Sequence, residues 1–290
     1  MSRSGRVAIG LLALFAVAAL LAPLWGARGA AGIGDVLGAR LLPPGSRDAS
    51  GGFHLLGTDR LGRDLVARTL LAGRVSLLVG LAGALMASAI GVAIGAIAGW
   101  RGGWMDRALM AVADALLAIP RLVLLLLCAA LWGPGLTMVV LVLGATGWMG
   151  VARLTRAEVI AARGRPWAEA ARAIGAGDRR TLWRHVLPNA IGPAIVATAL
   201  GVGSAIMLES GLSFLGLGIQ PPAASWGNMI AAGRDVIVTA PWVGLVPGIA
   251  LVATTAAATI LGDALRDRLA GERPVQRTSS VETERAPTMT

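Results

Sequence analysis

Three ionisable residues stand in or beside apolar stretches, where charged side chains can relay protons or line a path for polar solutes. Arg107, Asp114 and Arg121 recur at intervals of seven residues, so on one helix they would share roughly one face. Seven residues rise about 10 Å along a helix, which is too far for direct pairing. They therefore need partners on neighbouring helices, or water in a central cavity. Structural charges inside a helix bundle and charges beside a translocation path remain alternative interpretations.

Glu209 is an acidic residue near the end of a different apolar run. It lies about 18 residues beyond Gly192, near which that helix is predicted to begin, which is about 27 Å along the axis. This distance places it at the outer mouth of a membrane-spanning helix. There it can contact a gate or cap a neighbouring segment, and the sequence favours neither role.

Nucleophilic and metal chemistry have few residues to work with. Cys128 is the single cysteine and lies in a leucine-rich run, while His54 and His185 are far apart with no cysteine near either. All 26 basic residues are arginines, so a phosphate-binding loop of the G-x-x-x-x-G-K-[ST] type is excluded. We expect no catalysis and no cofactor in this chain. If ATP drives it, partner subunits bind the ATP and Mg.

The composition is that of a membrane protein. Of the 290 residues 56% are hydrophobic and only 14% are charged, and the mean hydropathy is +0.71. A helix needs about 20 apolar residues to cross a bilayer. Uncharged runs of that length are Val7 to Ala27, Val75 to Trp100, Leu122 to Ala152, Val186 to Leu208 and Val236 to Gly262. The net charge of +10 comes from arginines in the connectors, which indicates membrane topology and no nucleic-acid partner.

The run from Leu122 to Ala152 spans 31 residues, too many for one ordinary crossing. Gly133-Pro134-Gly135 predicts a turn that divides it into two crossings, the first starting near Ala108 and carrying Asp114 and Arg121 into the bilayer. The sequence thus predicts an all-α polytopic protein with six transmembrane helices. Both termini are then cytoplasmic, because this arrangement places most connector arginines on one side.

This topology predicts the domain boundaries. Residues 1–28 form an N-terminal transmembrane helix, preferred to a cleaved signal peptide because its apolar core is too long. Residues 29–72 are extracytoplasmic, and residues 73–270 form the main transmembrane domain. The tail, residues 271–290, is rich in small polar and charged residues and is predicted to be disordered and cytoplasmic.

The cytoplasmic loop at 165–193 is predicted to be a helical hairpin. Pro166 suits a first helical turn, Glu169 lies near its positive end, and Gly175 suits a C-terminal stop. Asp178 can cap a second short helix that ends before Pro188. An apolar stripe would be formed by Trp167, Ala170, Ala171 and Ile174. From the residues alone, docking on another protein and lying on the bilayer surface are both open.

The segment HLLGTDRLGRD, residues 54–64, is placed on the extracytoplasmic side. Thr58 or Asp59 can cap a helix with an apolar stripe, which would set the angle of the next transmembrane helix. The alternative is contact with a partner protein through a charged face, formed by Arg60, Arg63 and Asp64.

The cytoplasmic hairpin resembles the EAA loop of binding-protein-dependent ATP-binding-cassette permeases. That motif is E-A-A, three residues, G, nine residues and I-x-L-P, and here Glu169, Ala170, Ala171, Gly175, Leu187 and Pro188 occupy its positions. The chain departs from it at His185, where the general pattern has isoleucine. RHVLPNA is similar to the form in the dipeptide, oligopeptide and nickel subfamily, as are HLLGTDRLGRDLVAR, ADALLAIPRL, GLSFLGLGIQPPAASWGNMI and LGDALRDRL.

The resemblance covers roughly residues 50 to 270 and implies a non-catalytic permease subunit in a bacterial inner membrane. It implies as partners a second homologous permease, two ATPase subunits and an extracytoplasmic solute-binding protein. It also implies that the hairpin docks on an ATPase, with Glu169 as a polar contact, and couples ATP hydrolysis to alternating access.

Two other classes of protein compete with this interpretation. A proton-coupled secondary transporter could use Asp114 and Glu209 as proton carriers, but the short chain and the lack of an inverted repeat disfavour it. A membrane scaffold would explain the helices but not the hairpin. The sequence does not distinguish a dipeptide, an oligopeptide, a glutathione-like thiol or a nickel complex as the solute.

Overall fold

The computed structural model describes residues 3–22 and 38–271, which are almost entirely helical outside residues 38–64. The first helix is α1 (Arg3–Leu21). A two-stranded antiparallel hairpin follows, β1 (Ser46–Arg47) and β2 (Phe53–His54). The helices before the predicted coupling hairpin are α2 (Leu65–Arg101), α3 (Gly103–Leu117), α4 (Arg121–Trp132), α5 (Leu136–Ala145) and α6 (Trp148–Arg163).

The second half of the chain begins with short helices and ends with long ones. The short elements are α7 (Pro166–Ala173), α8 (Asp178–Arg180), a π-helical turn (Thr181–Val186) and α9 (Leu187–Ala190). They are followed by α10 (Gly192–Phe214), α11 (Trp226–Arg234) and α12 (Trp242–Gly271).

Helix α2 has 37 residues and is the centre of the bundle, in contact with α5, α6 and α10. Small residues allow this close approach, as is common between membrane helices. A Cβ atom added at Gly91, Gly95 or Gly99 would lie 2.6, 2.3 or 2.7 Å from a backbone carbonyl oxygen of α6. The four-residue spacing of these glycines therefore fixes α2 and α6 side by side.

Four helical spans in the described residues are long and apolar enough to cross a membrane: Leu65–Arg101, Leu136–Arg163, Gly192–Phe214 and Trp242–Leu269. A fifth is possible if the bent pair α3 and α4 counts as one span. Helix α1 is 19 residues long and packs on α2 and α12. The all-α membrane fold is thus confirmed, whereas the count of six spans stays a prediction.

The predicted third span is not one straight helix. Helix α3 ends at Leu117 and α4 begins at Arg121, at an angle of 82°. Pro120 explains the break, because proline has no N–H to donate and disfavours helical geometry at the residue before it. The prediction that Arg107, Asp114 and Arg121 share one helical face is therefore wrong, since Arg121 lies on a different helix.

Other boundaries agree with the sequence in part. The predicted turn at Gly133-Pro134-Gly135 is confirmed between α4 and α5. The next span was predicted to end near Ala152, but α6 continues to Arg163 and carries three arginines. Residues 23–28 and 29–37 of the predicted N-terminal domains lie outside the described residues, as does the predicted tail beyond Gly271.

Candidate coupling hairpin and charged sites

The hairpin that was predicted to be cytoplasmic begins with α7, whose first turn contains Pro166 and Glu169. The helix ends where Gly175 adopts a left-handed conformation, with φ of +87°. The N–H of Ala176 donates to the carbonyl of Ala171 at 3.0 Å, and the N–H of Gly175 donates to that of Arg172 at 2.9 Å. These two bonds are a Schellman motif, so the predicted stop at Gly175 is confirmed.

The second arm of the hairpin differs from the prediction in two ways. Gly177 is the cap, and Asp178 is the first helical residue. The helical path also continues through Pro188 to Ala190 instead of ending before the proline. The π-helical turn Thr181–Val186 precedes Pro188. A π-helical turn changes the hydrogen-bond register, which lets the chain accommodate a residue that cannot donate to the preceding turn.

The inner face of the hairpin is packed against the membrane helices. Ala168, Leu182, Val186, Leu187 and Ala190 are buried in one cluster with residues of α2 and α6.

Arginines tie the hairpin further to the ends of these helices. Arg163 donates to the carbonyl of Trp100 at 2.8 Å, and Arg172 donates to the carbonyl of Arg163 at 2.6 Å. The Arg172 guanidinium also lies 5.7 Å from the centre of the Trp100 ring. The hairpin is therefore a rigid extension of α2 and α6.

The outer face of the hairpin exposes apolar surface. Ile174 is 88% exposed, and Trp167 and Trp183 are 40% and 47% exposed. Ala170 is also exposed, whereas Ala171 is buried, so its assignment to the docking stripe is wrong. Glu169 is exposed.

Beside Trp183 there is a groove of about 680 Å³ with a basic lining. The residues that line it are Gly177, Asp178, Arg179, Arg180 and Trp183. This outer face therefore presents exposed tryptophans beside arginines, residue types that are enriched at protein interfaces.

The two aspartates of α3 pair with arginines of α6. Asp114 accepts from Arg153, and both side chains are about half exposed. Asp106, which the sequence analysis overlooked, accepts from Arg156, with one contact at 2.6 Å. The spacing carried a signal for these pairs. Asp106 and Asp114 are eight residues apart on α3, and Arg153 and Arg156 are three residues apart on α6, so each pair lies on one helical face. Asp114 therefore has the partner on a neighbouring helix that the sequence analysis required.

Arg121 binds the C-terminal end of α5. Its Nε donates to the Thr146 hydroxyl at 3.1 Å and a terminal nitrogen donates to the Leu143 carbonyl at 2.6 Å. Both acceptors belong to the C-terminal end of α5, where carbonyl groups lack helical partners and a cation is favourable. A lining role in a translocation path stays a prediction for Asp114 and Arg121.

Glu209 is fully buried near the C-terminal end of α10. Its carboxylate accepts hydrogen bonds from three serine hydroxyls, at 2.6 Å from Ser213, 3.2 Å from Ser76 and 3.3 Å from Ser210. Ser76 lies on α2, 133 residues away in sequence. The carboxylate thus joins two membrane helices, and its role in a translocation path stays a prediction.

Residues 38–64 form a folded segment around the β-hairpin. No helix begins at Thr58 or Asp59 as predicted; Asp64 caps α2 instead, accepting from the N–H of Ala67 at 3.0 Å. Asp59 accepts from the backbone of Leu61 and Arg63, which makes a turn.

The candidate partner-contact residues of this segment have internal partners. Arg60 pairs with Asp235 at 3.2 Å, and Arg63 pairs with Asp59 at 2.7 Å. Asp64 lies 2.9 Å from Nδ1 of His54. Contact of Arg60, Arg63 and Asp64 with another protein stays a prediction.

His54 also approaches Asp48, whose carboxylate closes the turn of the β-hairpin. Hydrogen bonds from the Ser50 hydroxyl and from the backbone N–H of Gly52 lower the pKa of Asp48 to about 2. A weaker contact of 3.3 Å joins Asp48 to Nε2 of His54. The carboxylate therefore stays ionised at neutral pH and holds the turn closed.

Long apolar helices, with a helical hairpin packed at their ends, define a polytopic membrane protein. Residues 91–271 match the family model described as "Binding-protein-dependent transport system inner membrane component". This chain belongs to that family and is a multi-pass, non-catalytic subunit of an inner membrane transporter.

Named relatives agree with this assignment. A peptide transport system permease protein of Brucella suis is 40% identical over 267 residues, 92% of this chain and 87% of the relative. Another peptide permease protein of that organism is 44% identical over 216 residues, 74% and 72% of the two chains. The oligopeptide transport system permease protein OppC of Haemophilus influenzae is 38% identical over 218 residues, 75% and 70%.

A solved structure of the MetNI methionine ABC transporter, in inward-facing conformations, has the same fold. The TM-score is 0.54 at 18% identity, over 68% of this chain and 93% of the other. The likeness shows that the two chains share a fold over the matched residues.

Proposed function

We propose that this chain is one of the two membrane-spanning subunits of an ATP-driven importer of dipeptides, oligopeptides or related small solutes. The peptide class of solute is supported by the names of the relatives. Their alignments with this chain extend over most of both sequences. The partners are a second homologous permease, two ATPase subunits that bind ATP and Mg, and an extracytoplasmic solute-binding protein. The two permeases enclose the solute path and alternate in access between the two sides.

The observation that carries this proposal is the packing of the coupling hairpin against the transmembrane helices. Its inner face is buried against α2 and α6, and its outer face leaves Ile174, Trp167 and Glu169 exposed. A rigid extension with an unpartnered outer face can transmit closure of an ATPase to the transmembrane helices. A hairpin that only lay on lipid would not need the Schellman stop and the arginine contacts that fix its angle.

The experiment is peptide uptake by proteoliposomes that contain the complete transporter and are supplied with loaded solute-binding protein. Uptake should require ATP and Mg on the cytoplasmic side and should persist when a protonophore dissipates the proton gradient. Uptake that ignores ATP and stops with the protonophore would instead establish the proton-coupled alternative. The solute itself is identified by the ligand that co-purifies with the binding protein.

Orientation is part of the proposal, with both termini in the cytoplasm. Reporters at two positions should be cytoplasmic and at two others extracytoplasmic, and the reverse pattern would refute the orientation. The cytoplasmic positions are Gly102 and Gly177, and the extracytoplasmic positions are Ser50 and Ala224.

A further inference from the structure

The segment from 215 to 234 contains most of the motif GLSFLGLGIQPPAASWGNMI, which the coupling hairpin does not explain. The segment leaves the end of α10, turns back and forms the nine-residue helix α11. A capping box between Ser225 and Asn228 starts α11. Asn228 also donates to the carbonyls of Ile219 at 3.2 Å and Ala223 at 3.0 Å. The segment therefore has a defined structure of its own.

Glu209 and its three serine partners, Ser76, Ser210 and Ser213, form a buried cluster beneath this segment. Glu209 has no ion pair with any residue in the part of the chain that the structure describes. A buried carboxylate is costly unless hydrogen bonds replace its hydration. Three hydroxyl donors supply these bonds, so the carboxylate holds the three serines in fixed rotamers.

Two of these serines also bind the backbone of the segment. The N–H of Ile219 donates to Oγ of Ser213 at 2.9 Å, and the N–H of Trp226 donates to Oγ of Ser76 at 3.3 Å. Each hydroxyl has one hydrogen, which it donates to Glu209, and accepts from the backbone amide with its lone pairs. The segment is thus connected to the carboxylate by two hydrogen-bond chains, one through α2 and one through α10.

The electrostatics favour the same connection. Glu209 lies near the C-terminal end of α10, where a negative charge is unfavourable for its own helix. Trp226 is the first residue of α11, and the N-terminus of that helix favours a negative charge close by. The carboxylate therefore interacts more favourably with the dipole of α11 than with that of α10, the helix that contains it.

Close packing leaves the segment no room to slide over the cluster. A Cβ atom added at Gly218 would lie 2.1 Å from Oγ of Ser213, and one added at Gly227 would lie 2.4 Å from the carbonyl oxygen of Ser210. The indole of Trp226 is buried, and its Nε1 donates to the carbonyl of Thr69 on α2 at 3.0 Å. Movement of α11 relative to α2 and α10 must break these contacts.

We propose that Glu209 and its three serines are a latch that fixes the segment 215–234 to α2 and α10. This inference rests on the proposed function, which places the segment on the side of the solute-binding protein. The segment then moves with the two helices, so that docking of the loaded binding protein is transmitted to the helices that the cytoplasmic hairpin extends. Glu209 acts as a positioning residue, through the serines, and does not contact the solute.

The test uses the complete transporter in proteoliposomes and measures ATP hydrolysis with and without loaded binding protein. For Glu209→Gln the ratio of stimulated to basal hydrolysis should fall about tenfold, because the amide cannot accept from all three hydroxyls. Ser213→Ala should act similarly, and Ser210→Ala less, since Ser210 carries no backbone amide. The binding-protein concentration that gives half-maximal stimulation should not change, because the docking surface is intact.

Ser204→Ala is the matched control, since this hydroxyl is exposed on the same helix and bonds only the Leu200 carbonyl. Hydrogen exchange gives an independent measurement. The amides of Ile219 and Trp226 should exchange faster in Glu209→Gln, although neither contacts Glu209.

A wild-type stimulation ratio in both Glu209→Gln and Ser213→Ala would overturn the latch. A raised half-maximal concentration with an unchanged ratio would also overturn it, because the segment would then be only a docking surface. If one of these two variants does not assemble, the other decides by the same criteria. A wild-type transporter that the binding protein fails to stimulate would count against the proposed function instead.

Discussion

Truncation of Ile174 tests whether the outer face of the hairpin binds an ATPase subunit. The side chain is 88% exposed, so nearly all of its surface is available to a partner. Full burial of an isoleucine contributes about 1.5 to 3 kcal/mol, and 88% of that is about 1.3 to 2.6 kcal/mol. Ile174→Ala should therefore weaken ATPase binding roughly tenfold to 80-fold, while the permease itself keeps its stability.

The assay is titration of purified ATPase subunits onto the permease pair in detergent or nanodiscs, together with the thermal midpoint of the permease. Val238→Ala is the matched control, since Val238 is 91% exposed but lies beyond α11, at the opposite end of the bundle in the proposed topology. Equal affinities for Ile174→Ala and wild type would refute the docking argument. A lowered thermal midpoint would show that Ile174 contributes to the fold, against its observed exposure.

Three further substitutions test the coupling hairpin and the paired charges. Glu169→Lys should leave the subunit in the membrane but abolish uptake and reduce ATPase co-purification, since repulsion replaces attraction at an interface; normal uptake with a full ATPase yield would contradict it. Gly175→Val should have the same effect, because a β-branched residue is strained at φ of +87°; a wild-type yield and uptake would show that the stop is dispensable. Asp114→Asn should impair uptake or assembly, since it leaves Arg153 without its charged partner, whereas Leu116→Val should be mild; wild-type uptake and assembly of Asp114→Asn would exclude a role for the charge.

The sequence predicted those features that depend on neighbouring residues. The stop at Gly175 and the turn at Gly133-Pro134-Gly135 follow from backbone preferences of glycine and proline, and both are confirmed. Pro120 was an equally local signal for a helix break. The break was nevertheless not predicted, because the length of the apolar run favoured one continuous helix from Ala108. Pro188 was misjudged in the opposite direction, because a π-helical turn absorbs the proline in the middle of a helical path.

The features that the sequence did not show depend on distant partners. Glu209 was placed near its helix end correctly, but its burial depends on Ser76, 133 residues away, and no local pattern links the two. Asp64 was assigned to a charged contact face because a helix was predicted to begin at Thr58 or Asp59, whereas the helix begins at Leu65 and Asp64 caps it. Asp106 was not predicted as a site residue, since its partner Arg156 lies 50 residues away on another helix.

Helix α2 reaches from one candidate site to the other. Its 37 residues rise about 55 Å at 1.5 Å per residue. Its first turns hold Thr69 and Ser76 under α11, and its last turns hold Ala96 and Trp100 under the hairpin. Gly91, Gly95 and Gly99 allow α6 to pack closely along α2. The two helices can therefore move together as one unit. In the proposed transport cycle, we expect bending at the helix breaks at Gly102-Gly103 and at Pro120. A substitution that separates α2 from α6 should then uncouple the two sites while each remains folded.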